Sequence, residues 1–120
     1  MSKHQQNCTL KTQVINVKKQ NLLLLGKKDF QECLNDPNFV YIGRRVVYVN
    51  GTFESKWRNP FPAKFFGRDE CIEAYRQYII SKPELLQDLH ELKGKVLGCW
   101  CKPDKCHGDV LIELINQYCS

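Results

Sequence analysis

The chain has 120 residues, of which 42% are apolar and 26% are charged, and its formal net charge is +5. This length and composition are typical of one globular domain and exclude an intrinsically disordered chain. A membrane-spanning helix needs about 20 apolar residues, and runs such as Leu22–Leu25 are far shorter, so no membrane partner is expected.

The N-terminal residues 1–11 are polar and lack the apolar core of a signal peptide. They predict a flexible tail in front of a single domain over residues 12–120, located in the cytoplasm, or in the cytoplasm or nucleus of a host cell if the protein is viral. Seven cysteines, an odd number without a secretory signal, favour reduced thiols over a disulfide framework. Cys33 and Cys71 lie in apolar, helix-like stretches and are expected to be buried packing thiols.

The N-terminal half of the domain alternates between strand-like and helix-like stretches. Thr12–Lys18 is predicted to be a short strand, and Asn21–Gly26 a strand or a buried turn. Lys28–Leu34 has helical spacing and stops before an Asn-Asp-Pro sequence. Phe39–Ile42 is a β-rich run that ends at a glycine. The order of these stretches indicates a layered fold that contains both element types.

An Asn-Gly pair divides the next β-prone stretch. Arg45–Ser55 places valines and a tyrosine before the pair and Thr-Phe after it, a pattern that predicts a β-hairpin. A loop rich in proline and aromatic residues, Lys56–Phe66, follows it.

The C-terminal half contains the clearest helical pattern. Apolar residues in Arg68–Ser81 fall on one stripe, and a second helix begins at Pro83, where proline is tolerated in a first turn. Lys95–Cys101 is predicted to be a buried strand, and Cys106–Tyr118 a last helix. The predicted fold class is therefore α/β: a single small layered domain with a mostly parallel sheet flanked by helices and an inserted β-hairpin.

The positive charge is concentrated between Tyr41 and Arg68. Glu54 is the only acidic residue of this stretch, which carries six basic residues and seven aromatic ones. Such a mixture suits a partner that bears phosphates or bases, although a solvated basic face beside ordinary core aromatics is an equally good interpretation.

The last predicted strand, loop and helix bring together several chemically active side chains. Ligands of open α/β sheets bind beyond the carboxyl ends of strands, and a helix N-terminus attracts anions. Lys102 and Lys105 add two cations to this loop, and Asp104 is a plausible N-cap. Cys106, in the first turn of the helix, is expected to have a lowered pKa.

Three interpretations of the cysteines and histidine stay open. The first is a zinc site, because thiolates together with an imidazole are typical zinc ligands. Its ligands are then Cys99, Cys101, Cys106 and His107. A reactive or ligand-binding site is another, with His107 as acid or base and Cys106 as its thiol neighbour. In the third, the thiols are packing residues of the strand and His107 forms only local hydrogen bonds.

The central loop contributes candidate binding residues in the same way. Lys56, Trp57 and Asn59 supply a cation, a stacking surface and an amide within four residues. The alternative is a proline-pinned loop whose Trp57 fills the core. Arg44 follows Gly43 at a strand end, and it faces the crevice beside Cys99 if the two strands are parallel neighbours.

Several of these motifs, in this order, resemble one known family. They are Tyr41-Ile42-Gly43-Arg44, Ser55-Lys56-Trp57 with Asn59-Pro60-Phe61, Arg68, Leu97–Cys101 and Cys106–Leu111. The resemblance runs from about Val14 to the C-terminus and is to domain of unknown function 4326, which occurs in phage, bacterial and large-virus proteins. It implies no particular reaction or cofactor.

The sequence as a whole favours a protein that binds a nucleotide or a phosphate ligand derived from nucleic acid, with enzymatic activity left open. Its expected binding residues are Arg44, Lys56, Trp57, Asn59, Arg68, Lys102 and Lys105. The alternative is a zinc-binding module that interacts with nucleic acid or protein and has no catalysis.

Overall fold

The computed structural model describes residues 11–61, 63–101 and 105–119. The strands are β1 (Gln13–Asn16), β2 (Phe39–Tyr41) and β3 (Val96–Cys99). The helices are α1 (Lys19–Leu24), α2 (Phe30–Leu34), α3 (Ala63–Phe66), α4 (Arg68–Ile80), α5 (Pro83–Asp88) and α6 (His107–Tyr118), with a 3₁₀ helix at Leu89–Leu92. None of the helices in the described ranges is long and apolar enough to cross a membrane.

The three strands form one parallel sheet in the order β1-β3-β2. In its centre, β3 pairs Cys99 with Asn16 of β1 and Gly98 with Tyr41 of β2. All three carboxyl ends therefore lie at the same edge, and the predicted α/β class is confirmed.

Both faces of the sheet are covered. Successive strand residues point to opposite sides, and a different apolar cluster packs on each side. Ile42 and Leu97 belong to the larger apolar cluster, which they share with residues of α4, α5 and α6. Tyr41 belongs to the smaller cluster on the other face, together with Leu22 of α1 and Phe30 of α2. Burial on both faces explains why the strands are apolar runs rather than alternating ones.

The N-terminus of α6 lies unusually close to the sheet. A Cβ atom on Gly108 would come within 2.7 Å of the Val14 side chain and within 3.0 Å of the Ile42 side chain. Glycine removes this clash, so Cys106 and His107 sit directly against the carboxyl ends of the strands.

Two sequence predictions are corrected by the structure. The stretch Asn21–Gly26, predicted as a strand or buried turn, lies largely within α1 and ends in a turn. Leucine is a strong helix former, and a single buried side chain, Leu22, anchors this helix while the three following leucines stay exposed.

The predicted β-hairpin over 45–55 is also wrong, since this segment contains turns and no strand. The Thr52 hydroxyl accepts from the Val46 amide at 2.8 Å and lies 2.9 Å and 3.0 Å from the carbonyls of Val46 and Val49. These bonds satisfy backbone groups that a strand ladder would otherwise use.

Candidate functional site

A crevice opens at the sheet edge where the three strands end. Its volume is about 600 Å³, and Gly43, Arg44, Cys99 and Cys101 from the ends of β2 and β3 line it. Because β2 and β3 are parallel neighbours, Arg44 and Cys99 share one cavity, as the sequence indicated.

The crevice is strongly cationic. Five basic side chains and no acidic residue of the described chain line it; the five are Lys18, Arg44, Arg45, Arg58 and Arg68. Arg58 forms an ion pair with Glu54 at 3.0 Å. Within the described ranges, Lys18, Arg44 and Arg45 form no ion pair. These three charges are therefore available to an anion.

A thiol cluster lies at the floor of the crevice, where Cys99 and Cys101 line the cavity and Cys106 lies behind them. The sulfur atoms of Cys99, Cys101 and Cys106 all lie within 4.8 Å of one another, so the cluster could hold a metal ion. The Sγ atoms of Cys99 and Cys106 are 2.9 Å apart. Cys99 and Cys106 are fully buried, whereas Cys101 is half-buried.

His107 faces this cluster from the first turn of α6. Its Nε2 lies 2.7 Å from the carbonyl oxygen of Ile42, which only accepts, so Nε2 carries the proton. The other ring nitrogen, Nδ1, is 3.7 Å from Cys106 Sγ. The ring edge packs on Tyr75, with ring centroids 5.0 Å apart, and fixes the orientation further.

Cys106 is the N-cap of α6. Its sulfur accepts from the Gly108 amide at 3.3 Å, and the Asp109 carboxylate accepts from the Cys106 amide at 3.1 Å. This capping box replaces the predicted cap at Asp104, because a residue just before the helix is better placed to reach its free amides. Asp104 itself and Lys102 lie outside the described residues.

The three thiols differ in acidity. The pKa of Cys101 is far below its usual value because Cys106, Cys99 and His107 all form hydrogen bonds with its sulfur. Bonds to Cys101 and Cys99, with burial, raise the pKa of Cys106 instead. The pKa of Cys99 is also raised, chiefly by its bond with Cys101. The pKa of Cys106 is therefore raised and not lowered as the sequence predicted, and the lowered pKa is that of the half-buried Cys101.

The remaining predicted binding residues divide into two groups. Arg44, Arg68 and Asn59 line the crevice together with His107. The Asn59 side chain also shapes the loop, since its oxygen accepts from the Phe61 amide at 2.9 Å.

The other predicted binding residues lie elsewhere. Lys56 forms ion pairs with Asp88 and Glu91 at 2.8 and 3.1 Å, and the bond to Asp88 raises its pKa. Trp57 is 2% exposed and fills the core, which was the alternative given for it. Lys105 is paired with Asp69 at 2.8 Å. None of these three lines the cavity, and neither does Cys106.

Several lining residues, Lys18 and Trp100 among them, were missed by the sequence interpretation. Lys18 follows β1 by two positions, and Trp100 follows β3 directly. Both could have been predicted from their positions just beyond the carboxyl ends of strands, where ligands of such sheets bind. The Trp100 indole donates to the Tyr41 hydroxyl at 2.8 Å, and that hydroxyl donates to the Arg44 carbonyl. This chain of bonds holds Trp100 and the Arg44 backbone against each other.

Comparison with known proteins gives the chain a family. The model described as "Domain of unknown function (DUF4326)" matches residues 26–117. The chain belongs to this family. The resemblance carried by the sequence motifs is thereby confirmed, and the crevice of this DUF4326 domain is formed mainly within the matched region.

Two relatives of this DUF4326 chain come from viruses. The "Uncharacterized protein R718" of Acanthamoeba polyphaga mimivirus is 44% identical over 85 residues, which are 62% of this chain and 65% of that protein. The "Uncharacterized 12.4 kDa protein in nrdA-td intergenic region" of Enterobacteria phage T4 is 34% identical over 96 residues, 67% of this chain and 86% of that protein. The chain thus spans slightly less than two thirds of the mimivirus protein. No solved structure matches it.

Proposed function

We propose that the chain binds a nucleotide in the crevice and holds it by its phosphate groups. The observation that carries this proposal is the set of five cations that line one cavity with no acidic residue of the described chain among them. Guanidinium groups match phosphate oxygens in charge and geometry. Three of the cations, Lys18, Arg44 and Arg45, have no competing ion pair in the described structure.

The dimensions and lining of the crevice also suit a nucleotide. Its volume of about 600 Å³ lies within the roughly 300–1,000 Å³ of small-molecule sites. Trp100, Phe61 and Tyr48 offer aromatic surface for a base. The bond from Trp100 to Tyr41 holds one of these rings in place before a ligand arrives, which lowers the entropic cost of binding.

The proposal assigns contact with the ligand to Cys101 and His107 at the crevice floor. Cys106 has no exposed surface and lies behind them. The prediction that His107 and Cys106 act on a ligand as catalytic residues stays a prediction, and any thiol that meets the ligand directly is Cys101.

Titration calorimetry with a panel of nucleoside mono-, di- and triphosphates, matched nucleosides and inorganic phosphate tests this proposal. We expect binding by at least one nucleotide and none by its nucleoside. Arg44→Gln should weaken binding about tenfold to a hundredfold, because a charged hydrogen bond contributes about 1.5–3 kcal/mol. Arg76→Gln is the matched control, since Arg76 is paired with Glu113 outside the crevice.

A fluorescent single-stranded oligonucleotide in the same buffers separates the two sources of phosphate. Nucleotide binding without oligonucleotide binding supports the proposal. If only the oligonucleotide binds, and its affinity falls as the salt concentration rises, the ligand of the crevice is nucleic acid and not a nucleotide. Absence of binding by every phosphate ligand at millimolar concentration contradicts it.

The alternative function is a zinc-bearing interaction module without catalysis, which meets nucleic acid or protein through the basic surface. The observation in its favour is the group of three sulfurs within 4.8 Å of one another. Metal analysis of protein purified without chelator tests it: one bound zinc per chain supports this function, and a metal-free, fully folded protein contradicts it.

A further inference from the structure

We infer that Cys99, Cys101, Cys106 and His107 together form a closed, four-ligand zinc site that fastens β3 to α6 beneath the crevice. The inference rests on the alternative function above and deepens it, because it names the complete ligand set and the structural role of the metal.

The sulfur atoms are spaced approximately as zinc requires. Tetrahedral zinc with Zn–S bonds of about 2.3 Å separates two thiolate sulfurs by about 3.8 Å, and all three sulfurs lie within 4.8 Å of one another. The Cys99–Cys106 separation of 2.9 Å is shorter, so binding opens this pair by about 1 Å. By contrast, Cys33 and Cys71 are also buried but belong to no such group among the described residues.

His107 supplies the fourth ligand atom. The Nε2 proton is committed to the Ile42 carbonyl at 2.7 Å, which leaves Nδ1 on the side of Cys106, 3.7 Å from its Sγ. A tetrahedral site places a ligating nitrogen about 3.6 Å from a neighbouring sulfur. Histidines that bind metals commonly donate their second N–H to a carbonyl or carboxylate in this way, which fixes the ring.

Two adjacent ligands are unusual, but the start of α6 explains how both reach one ion. Cys106, the N-cap, has extended backbone angles of −137° and 150°, whereas His107 is the first helical residue. With this change of backbone conformation between them, Cys106 Sγ lies 2.9 Å from Cys99 Sγ of β3 and His107 Nδ1 lies 3.7 Å from Cys106 Sγ. Gly108 then permits the close approach of this turn to Val14 and Ile42.

The donor set and burial indicate the metal and its role. Three thiolates and an imidazole favour zinc over magnesium or calcium, which prefer oxygen ligands. Four protein ligands leave no position for water, and this is the arrangement of structural rather than catalytic zinc sites. Cys99 is 1% exposed, Cys106 is 0% exposed and His107 is 6% exposed, so the site is closed on its inner side.

Cobalt substitution in the full chain tests the ligand set. We expect the visible bands of tetrahedral Co²⁺ and a near-ultraviolet thiolate charge-transfer band that weakens in Cys99→Ser, Cys101→Ser and Cys106→Ser. Cys33→Ser and Cys119→Ser, one buried and one half-buried thiol outside the cluster, are the matched controls and should leave the spectrum unchanged. His107→Ala should lower the affinity for zinc about tenfold to a hundredfold or more. Losses of this size are seen even when a residue that only supports a ligand is removed.

His107→Cys keeps the test decisive if His107→Ala does not fold, because a fourth thiolate should restore a tetrahedral spectrum with a stronger charge-transfer band. An unchanged cobalt spectrum in folded His107→Ala overturns the four-ligand site while leaving metal binding by three thiols intact. Failure of the reduced protein to bind zinc or cobalt overturns both the four-ligand site and the zinc-bearing module.

Discussion

His107 connects three parts of the fold through a single side chain. Its Nε2 donates to Ile42 just after β2, its ring edge contacts Tyr75 of α4, and its Nδ1 faces Cys106. Tyr75 is held in turn by a hydrogen bond from its hydroxyl to the Trp57 carbonyl at 2.6 Å, and burial raises its pKa well above the usual value. The orientation of His107 is therefore set by packing rather than by local sequence.

Exposure predicts the order in which the cluster cysteines react. In reduced, metal-free protein, Cys101 should be alkylated before Cys99 and Cys106, because it alone of the three is half-buried rather than buried. Pulse alkylation with iodoacetamide and peptide mass spectrometry measures this order. Cys119 serves as a half-buried reference and Cys33 as a buried one. Alkylation of Cys106 at the rate of Cys101 would contradict the prediction.

At the scale of elements, the site depends on how closely α6 approaches the sheet. The capping box at Cys106 fixes where the helix begins, and Gly108 sets the distance to β1. A second connection comes from α4, whose first residues Arg68 and Asp69 contact Lys105 through its carbonyl at 3.4 Å and its ammonium at 2.8 Å. Both contacts hold Lys105, just before α6, against α4.

Gly108→Ala tests the close approach. The new Cβ would lie 2.7 Å from Val14 Cγ2 and 3.0 Å from Ile42 Cδ1, so we expect a loss of about 1–3 kcal/mol in the free energy of unfolding, as for other overpacked sites. Urea denaturation measures it. The double variant Gly108→Ala with Val14→Ala should lose less than the sum of the two single losses, because the clash is removed. If the losses in the free energy of unfolding add strictly, the contact between residue 108 and Val14 is not the cause of the destabilisation.

The contact between α4 and the loop predicts a pH dependence. The hydrogen bond from Lys105 lowers the pKa of Asp69 below its usual 3.8. A carboxylate with a lowered folded-state pKa stabilises the protein above its unfolded-state pKa, and this stabilisation is lost as pH falls through the folded-state value. Asp69→Asn should therefore be less stable than the parent at neutral pH, and the difference should disappear in strong acid.

Urea denaturation over a pH series measures this difference. Glu70→Gln is the matched control, since it removes one negative charge from the same first turn of α4 and Lys105 pairs with Asp69 rather than with it. If both variants change the free energy of unfolding equally at every pH, the ion pair with Lys105 is not the cause. The lost stabilisation then comes from the helix dipole, which favours a negative charge in the first turn.

For the whole molecule, the net charge of +5 is distributed unevenly. Lys56, Lys105 and Arg76 are neutralised by acidic partners away from the crevice, while the five lining cations converge on one sheet edge. This edge also carries Cys99, Cys101 and His107, which belong to the proposed zinc site. Metal binding and phosphate binding are therefore expected to be linked.

Metal removal tests this linkage. With AMP as the probe, chelator-treated protein should bind at least about tenfold more weakly than zinc-loaded protein, since three metal ligands form the crevice floor and coupling between sites is commonly 1–3 kcal/mol. Calorimetry before and after readdition of zinc measures the change. Arg44→Gln is the control, because it should weaken AMP binding without altering zinc content. Equal AMP affinity with and without metal would show that the two sites are independent.

Much of the fold follows from local sequence. Helical spacing in Arg68–Ser81 corresponds to α4, Pro83 begins α5 in the structure, and the apolar run before Cys101 contains β3. These elements were predictable because spacing of 3.6 residues and unbroken β-rich runs depend on neighbours along the chain. The sequence order of β3, loop and α6 likewise determined that thiols and an imidazole meet at one sheet edge.

Tertiary structure alone decided the rest. The β-prone run around Val47 and Tyr48 forms no strand, because no strand of the described residues pairs with it and both side chains stay exposed. Lys56 is close in sequence to crevice residues, yet its partners Asp88 and Glu91 come from another part of the chain. Which thiol is exposed, and which ring nitrogen of His107 faces Cys106, depends on packing between β2, β3, α4 and α6. Such contacts join residues far apart in sequence, so local spacing carries no record of them.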